Sequence, residues 1–226
     1  MRQPGAPIYR ILWWYFCWSL CFIWFMFFYR FRMWGSRNIP SEGAVMLVSN
    51  HQSFFDPIIV GLGSSHRQFY ALARATLFHN PLFAWHINSL NAIAVDQKSA
   101  DTKAMRKCIE VLRQDHALLI FPEGSRTLDG KVQRFEPGTM LIIKRARPMI
   151  LPVALEGAFD AYPRGSKRPR LFGRIGVMYG QPIPAEQLLE LGPEKASEQL
   201  RDQIEQMRQE LRKKLYPAPT EYPLPE

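Results

Sequence analysis

Ala44-Val45-Met46-Leu47-Val48-Ser49-Asn50-His51-Gln52-Ser53-Phe54-Phe55-Asp56-Pro57 decides how the rest of the chain is read. The apolar run 44–49 has the length and composition of a buried strand. Asp56 is a good N-cap and Pro57 a good first helical residue, so a helix starts there. Strand, loop and helix in this order open an α/β unit. The loop holds His51 and Asp56, an imidazole and a carboxylate. Imidazole is the side chain best matched to proton transfer near neutral pH, and a carboxylate can fix its tautomer. On one helix the two would point roughly 140° apart; across a turn they can meet. An ordinary strand-to-helix loop with a capping aspartate is the competing reading.

Outward from this stretch, strands are expected at 69–73, 92–95, 117–121, 149–155 and 174–179. Helices are expected at 81–90, 99–114, 138–146, 185–190 and 194–215. In the last, Leu200, Ile204, Met207, Leu211 and Leu215 form one packing stripe. Pro152 argues for an edge or irregular place for its strand. The alternation predicts an α/β domain with a mixed central sheet flanked by helices, over residues 37–216.

Residues 1–36 read as an N-terminal membrane-associated helical element. Positions 11–29 carry no charge, and eleven of the nineteen are aromatic. Nineteen helical residues span roughly 28 Å, enough for a bilayer core. Trp and Tyr favour the headgroup boundary, so a spanning helix and one lying in a single leaflet both remain open. Arginines flank both ends and do not set an orientation. No small-x-small cleavage site follows the segment, which argues against a secretory signal. Residues 217–226 hold four prolines and read as a disordered tail.

The net charge of +9 points to an anionic partner. Nucleic acid is disfavoured: the chain has no zinc-finger spacing and no RNA-binding aromatic signature. Cys17, Cys21 and Cys108 are odd in number and lack metal-ligand spacing, which fits a reduced cytosolic domain and no metal site. Arg164, Lys167, Arg168, Arg170 and Arg174 make a basic loop suited to anionic headgroups, coenzyme A phosphates or an acidic carrier protein, or simply a solvated one.

A second block, Phe121-Pro122-Glu123-Gly124-Ser125-Arg126-Thr127, follows the strand at 117–121. Arg126 has the fork geometry for bidentate phosphate recognition. Glu123 can accept hydrogen bonds from acceptor hydroxyls or brace Arg126, and Gly124 permits close backbone approach. His-x4-Asp followed about seventy residues later by Phe-Pro-Glu-Gly-Ser-Arg resembles the glycerophospholipid acyltransferase family. The resemblance covers roughly residues 35–185. It implies His51 as general base with Asp56 orienting it, and Glu123, Gly124 and Arg126 in acceptor binding. It implies an acyl group moved from acyl-CoA or acyl carrier protein to a lysophospholipid hydroxyl, most readily 1-acylglycerol-3-phosphate, giving phosphatidic acid. No cofactor is implied, and the expected setting is a membrane with the domain on its cytoplasmic face. The intervening family block, Gly-x-Ile-Phe-x-x-Arg, departs here: Asn91 replaces glycine, Ala94 phenylalanine and Gln97 the arginine. Arg74 or Lys98 would have to compensate. Another lysolipid or lyso-aminolipid acceptor, or a non-catalytic lipid-binding role, are the alternatives.

Overall fold

The computed structural model describes residues 7–96 and 102–217. Its strands are β1 (Arg32–Trp34), β2 (Val45–Ser49), β3 (Phe69–Arg74), β4 (Ala92–Val95), β5 (Ala117–Ile120), β6 (Met149–Glu156), β7 (Gly176–Tyr179) and β8 (Ile183–Pro184). Its α-helices are α1 (Ile8–Tyr29), α2 (Asp56–Gly63), α3 (Pro81–Ser89), α4 (Thr102–Arg113), α5 (Gly138–Ala146), α6 (Ala158–Ala161), α7 (Ala185–Glu190) and α8 (Pro193–Leu215). The sheet runs β1-β7-β6-β2-β5-β3-β4, with β8 also on β6. Strands β6, β2, β5, β3 and β4 are parallel neighbours in turn, and β6 pairs antiparallel with β7 and β8.

Both faces of the sheet are covered, which is why its central strands read as unbroken apolar runs. Met46, Val48, Leu118, Ile120 and Ile150 pack on one side with residues of α4, α5, α7 and α8. Val45, Leu47, Leu119, Leu151 and Val153 pack on the other with α1 and α2. The expected stripe of α8 buries Leu200, Ile204, Leu211 and Leu215, with Met207 packed half-buried beside them. The mixed, helix-flanked α/β sheet expected from the sequence is the one observed.

Two expectations need correction, and a third resolves between its alternatives. Pro152 lies in β6, an interior strand, in an irregular place and not at an edge. Its carbonyl accepts from Gly180 N at 2.8 Å, so its missing N–H falls at the break between β7 and β8, where the ladder is interrupted. Asp56 is not the N-cap of α2; that residue is Phe55, and the Asp56 carboxylate turns back into the preceding loop. Strand β1 was not expected and falls within the stretch assigned to the membrane element. It pairs with β7 from Arg32↔Gly176 to Trp34↔Met178. Residues 218–226, Gln97 and Lys98 lie outside the described residues.

Helix α1 packs along the domain by one face. Arg10 donates to Asn91 Oδ1 at 3.3 Å, Trp13 Nε1 to Ser89 Oγ at 3.0 Å, and Trp18 Nε1 to the carbonyls of Gly61 and Leu62 at 3.2 Å. Phe25 and Tyr29 are fully buried against Phe55. The opposite face exposes Leu12, Phe16, Leu20, Ile23 and Phe27. By length and composition α1 could cross a membrane, and it is the one described helix that could.

Candidate active site

In a parallel sheet the strand ends that lead into helices bring loops together, and ligands bind in the crevice outside them. Here the end of β2 delivers His51 and the end of β5 delivers Glu123. His51 Nδ1 lies 2.7 Å from Asp56 Oδ2. That oxygen also accepts from Gln52 N at 2.5 Å and Ser53 N at 2.7 Å. With Gln52 N and Ser53 N also donating to it, this oxygen serves as the acceptor for the ring, so Nδ1 carries the imidazole proton and Nε2 is left with its lone pair. The His51 ring stacks on Phe121 at 4.1 Å, and its side chain is one-fifth exposed.

The second block holds the first by its backbone. Glu123 Oε1 accepts from His51 N at 2.7 Å, and Thr127 N donates to His51 O at 2.8 Å. The other Glu123 oxygen accepts from Gln133 N at 3.1 Å. Glu123 therefore holds the His51 backbone to the second loop; the alternative of bracing Arg126 is not what its oxygens do. Burial pushes its carboxyl up from an ordinary 4.5 to about 7. Gly124 closes a turn with φ +67° as its N–H donates to Phe121 O, and it is exposed.

Arg126 lies flat on Phe54, its guanidinium carbon 3.5 Å from the ring centroid. Its Nη1 is buried and has no hydrogen-bond partner. Burial pushes Arg126 below its ordinary range, and the neighbouring Arg164 and Arg74 push it further. A buried guanidinium donor without a partner, in the positive field of two further arginines, suits an anion. Arg74, a candidate compensating cation, and Arg164 of the basic loop are both near enough to act on the charge of Arg126. Gln97 lies outside the described residues. Asn91, standing for the family glycine, takes φ +64°, a left-handed conformation that asparagine tolerates best after glycine.

Several pinning residues were not singled out. Asn50 exchanges two hydrogen bonds with the backbone of Leu155, at 3.0 and 2.8 Å. Gln52 donates to Gly130 O and accepts from Phe159 N. Phe54 gave no signal beyond its exposure-neutral place between the two site residues. Ser53 is a loop hydrogen-bonder, donating to Tyr162 O at 2.9 Å. Among the described residues no group of His, Cys, Asp and Glu is placed to hold a metal ion.

The acyltransferase family signature matches residues 30–156, which hold every residue of both blocks. The chain is 27% identical over 159 residues to a chloroplastic 1-acyl-sn-glycerol-3-phosphate acyltransferase of Arabidopsis thaliana, covering 69% of this chain and 44% of that one. It is 28% identical to the 1-acyl-sn-glycerol-3-phosphate acyltransferase of Streptococcus pneumoniae, covering 70% and 57%. The chain thus spans about half the length of these curated relatives. The crystal structure of the 1-acyl-sn-glycerophosphate acyltransferase of Thermotoga maritima superposes with a TM-score of 0.73 at 23% identity, covering 88% of this chain and 81% of that one, a likeness of fold.

Proposed function

The chain belongs to the acyltransferase family, and on that premise we propose that it moves a fatty acyl group from an acyl-CoA or acyl-carrier-protein thioester to the hydroxyl of a lysophospholipid. The observation that carries this is the His51–Asp56 contact of 2.7 Å beside the unmet Arg126 donor. Nε2 of His51 takes the acceptor O–H proton as that oxygen attacks the thioester carbonyl. The tetrahedral intermediate collapses, the C–S bond breaks, and the imidazolium returns the proton to the leaving thiolate. The N–H groups of His51, Gln52, Ser53, Gly124 and Thr127 are already engaged. Phe54, Glu123, Ser125 and Arg126 N–H are then the candidates in these blocks for stabilising the oxyanion. No cofactor enters the step.

Arg126, with Arg74 and Arg164, favours an acceptor carrying a phosphate monoester, and 1-acylglycerol-3-phosphate is the acceptor in the names of the relatives. The product is then phosphatidic acid. Helix α1 lies in the plane of one leaflet. It is tied to the domain from Arg10 to Tyr29, about 28 Å of helix, and cannot cross a bilayer while the domain stays outside. Leu82 and Trp85 of α3 extend its exposed apolar face, and the domain sits on the cytoplasmic side.

The test is purified protein with labelled acyl donors and a panel of lysolipids, products resolved by mass, run on wild type and Arg126→Lys. The variant keeps the charge and loses the fork. It is expected to lose at least roughly tenfold in kcat/KM on 1-acylglycerol-3-phosphate, and less on acceptors without a phosphate monoester. Equal losses on every acceptor would remove the phosphate role.

A further inference from the structure

Cations converge a second time, away from His51. A cleft of about 170 Å3 is lined by Arg30, Arg32, Arg174, Lys214, Leu215 and Pro217. A water takes about 30 Å3 of liquid volume, so a phosphate group and some of its hydration fit. Arg174 donates to Leu215 O and lies 5.3 Å from the Tyr216 ring. Lys214 reaches Glu210 at 3.2 Å. The Arg30 and Arg32 side chains have no hydrogen-bond or ion-pair partner among the described residues.

Helix ends alone do not account for this gathering. Arg30 is the left-handed C-cap of α1, and Leu215 ends α8. Each helix C-terminus carries about half a unit of negative charge. Two ends offset roughly one of the four cations and Glu210 offsets Lys214, so an excess of about two remains.

The place is also specific. Arg32 pairs with Gly176, and Gly176 pairs with Glu156 at the end of β6. The cleft therefore opens at the same end of the sheet as His51, three strand positions away from β2, or about 15 Å. Exposed apolar side chains flank it. Phe27 and Phe172 are 71% and 75% exposed, and Phe172 packs on Phe28 at 5.4 Å. Gly173 N donates to Phe28 O at 3.1 Å, tying the basic loop to the end of α1. Aromatic side chains in the acyl boundary with cations at phosphate level is the arrangement of a monolayer-docking surface.

We propose that this cleft is a second lipid site, taking the headgroup phosphate of an anionic phospholipid of the surrounding monolayer. It is distinct from the acceptor site at His51, and it gives the protein a preference for anionic surfaces. The inference rests on the placement of α1 in one leaflet. The full-length protein is bound to vesicles of phosphatidylcholine alone and of phosphatidylcholine with phosphatidylglycerol. The cleft variant is Arg30→Gln with Arg32→Gln; the charge-matched control is Lys167→Gln with Arg168→Gln. A cation near an anionic surface contributes about fivefold in binding. The cleft pair is expected to lose roughly ten- to thirtyfold on anionic vesicles and nothing on neutral ones, with turnover in neutral detergent micelles unchanged. The control pair is expected to lose clearly less. Equal losses for the two pairs, or none for the cleft pair, would overturn the site. So would a raised KM for the acyl donor with vesicle binding intact, which assigns the phosphate to the donor. Failure of the unaltered protein to bind neutral vesicles is a separate result: it overturns the placement of α1, and the lipid assignment of the cleft with it.

Discussion

At the residue scale the site depends on one crowded oxygen. Asp56 Oδ2 accepts from the His51 ring and from two loop N–H groups. His51→Ala is expected to lower turnover by roughly 10²–10⁴-fold with the fold intact. Asp56→Asn is expected to lower turnover by a comparable factor, because the amide no longer dictates which ring nitrogen holds the proton. It is also expected to lower the melting temperature, since two backbone donors lose a charged acceptor. Circular dichroism melts beside turnover separate the two effects, and near-normal turnover in either folded variant would sink the mechanism. Glu123 makes a pH prediction. Its carboxyl holds its proton to about 7 when folded and to about 4.5 when unfolded. Between these values the folded state binds more protons, so this contribution is complete below the lower value and lost as pH rises through about 7. The full effect is on the order of 3 kcal/mol. Glu123→Gln is expected to flatten the melting-temperature profile between pH 5 and 8; parallel profiles for the two proteins would refute it. The sequence singled out His51, Asp56 and Arg126 because the proposed chemistry restricts the residue types at those places, and the structure brings the side chains of the first two together. It left the role of Glu123 open, because a carboxylate that binds substrate and one that binds a backbone N–H look alike until the loops are folded together.

At the element scale, α8 is fastened to the catalytic end of the sheet. Glu156, almost fully buried at the end of β6, accepts from Arg208 Nη1 at 2.6 Å and Arg212 Nη1 at 2.5 Å. Arg208 also binds Glu205, whose carboxylate accepts from Val132 N, next to the Gln133 that binds Glu123. Glu205 and Glu156 hold Arg208 above its usual range. Arg208→Met is expected to cost about 1.5–3 kcal/mol, because Glu156 stays buried with only the half-exposed Arg212 as partner. Adding Glu156→Gln is expected to recover part of the loss in a denaturant titration; no recovery would mean that packing, not the buried charge, dominates. Most elements were legible from their periodicity, α8 most clearly. Strand β1 was not: three residues, Arg-Met-Trp, are too few to show an alternation. Pro152 pointed to an edge or an irregular place, and the irregular place is the one observed, because β7 and β8 are broken opposite it.

At the scale of the whole molecule, α1 has one face in the domain and an exposed apolar face opposite. Its inner face is part of the domain core through Phe25 and Tyr29, with Phe31 just beyond it. Deleting the segment would therefore unfold the domain rather than release it from a membrane. The sequence could not reveal this, because aromatic residues all round a helix suit a protein core and a lipid boundary equally well. The attachment is tested instead by changing only the outer face, with Leu12, Phe16, Leu20, Ile23 and Phe27 replaced by serine. These side chains are exposed, so the melting temperature in detergent is expected to stay close to that of the unaltered chain. Fully burying such a side chain contributes about 1.5–3 kcal/mol, so even partial insertion of five amounts to several kcal/mol. The unaltered protein is expected to sediment with neutral vesicles in 1 M salt, where charge attraction is screened beyond about 3 Å. The serine variant is expected to remain in the supernatant. Release of the unaltered protein by salt would show that charge alone holds it, and co-sedimentation of the serine variant in high salt would show that some other surface is the anchor.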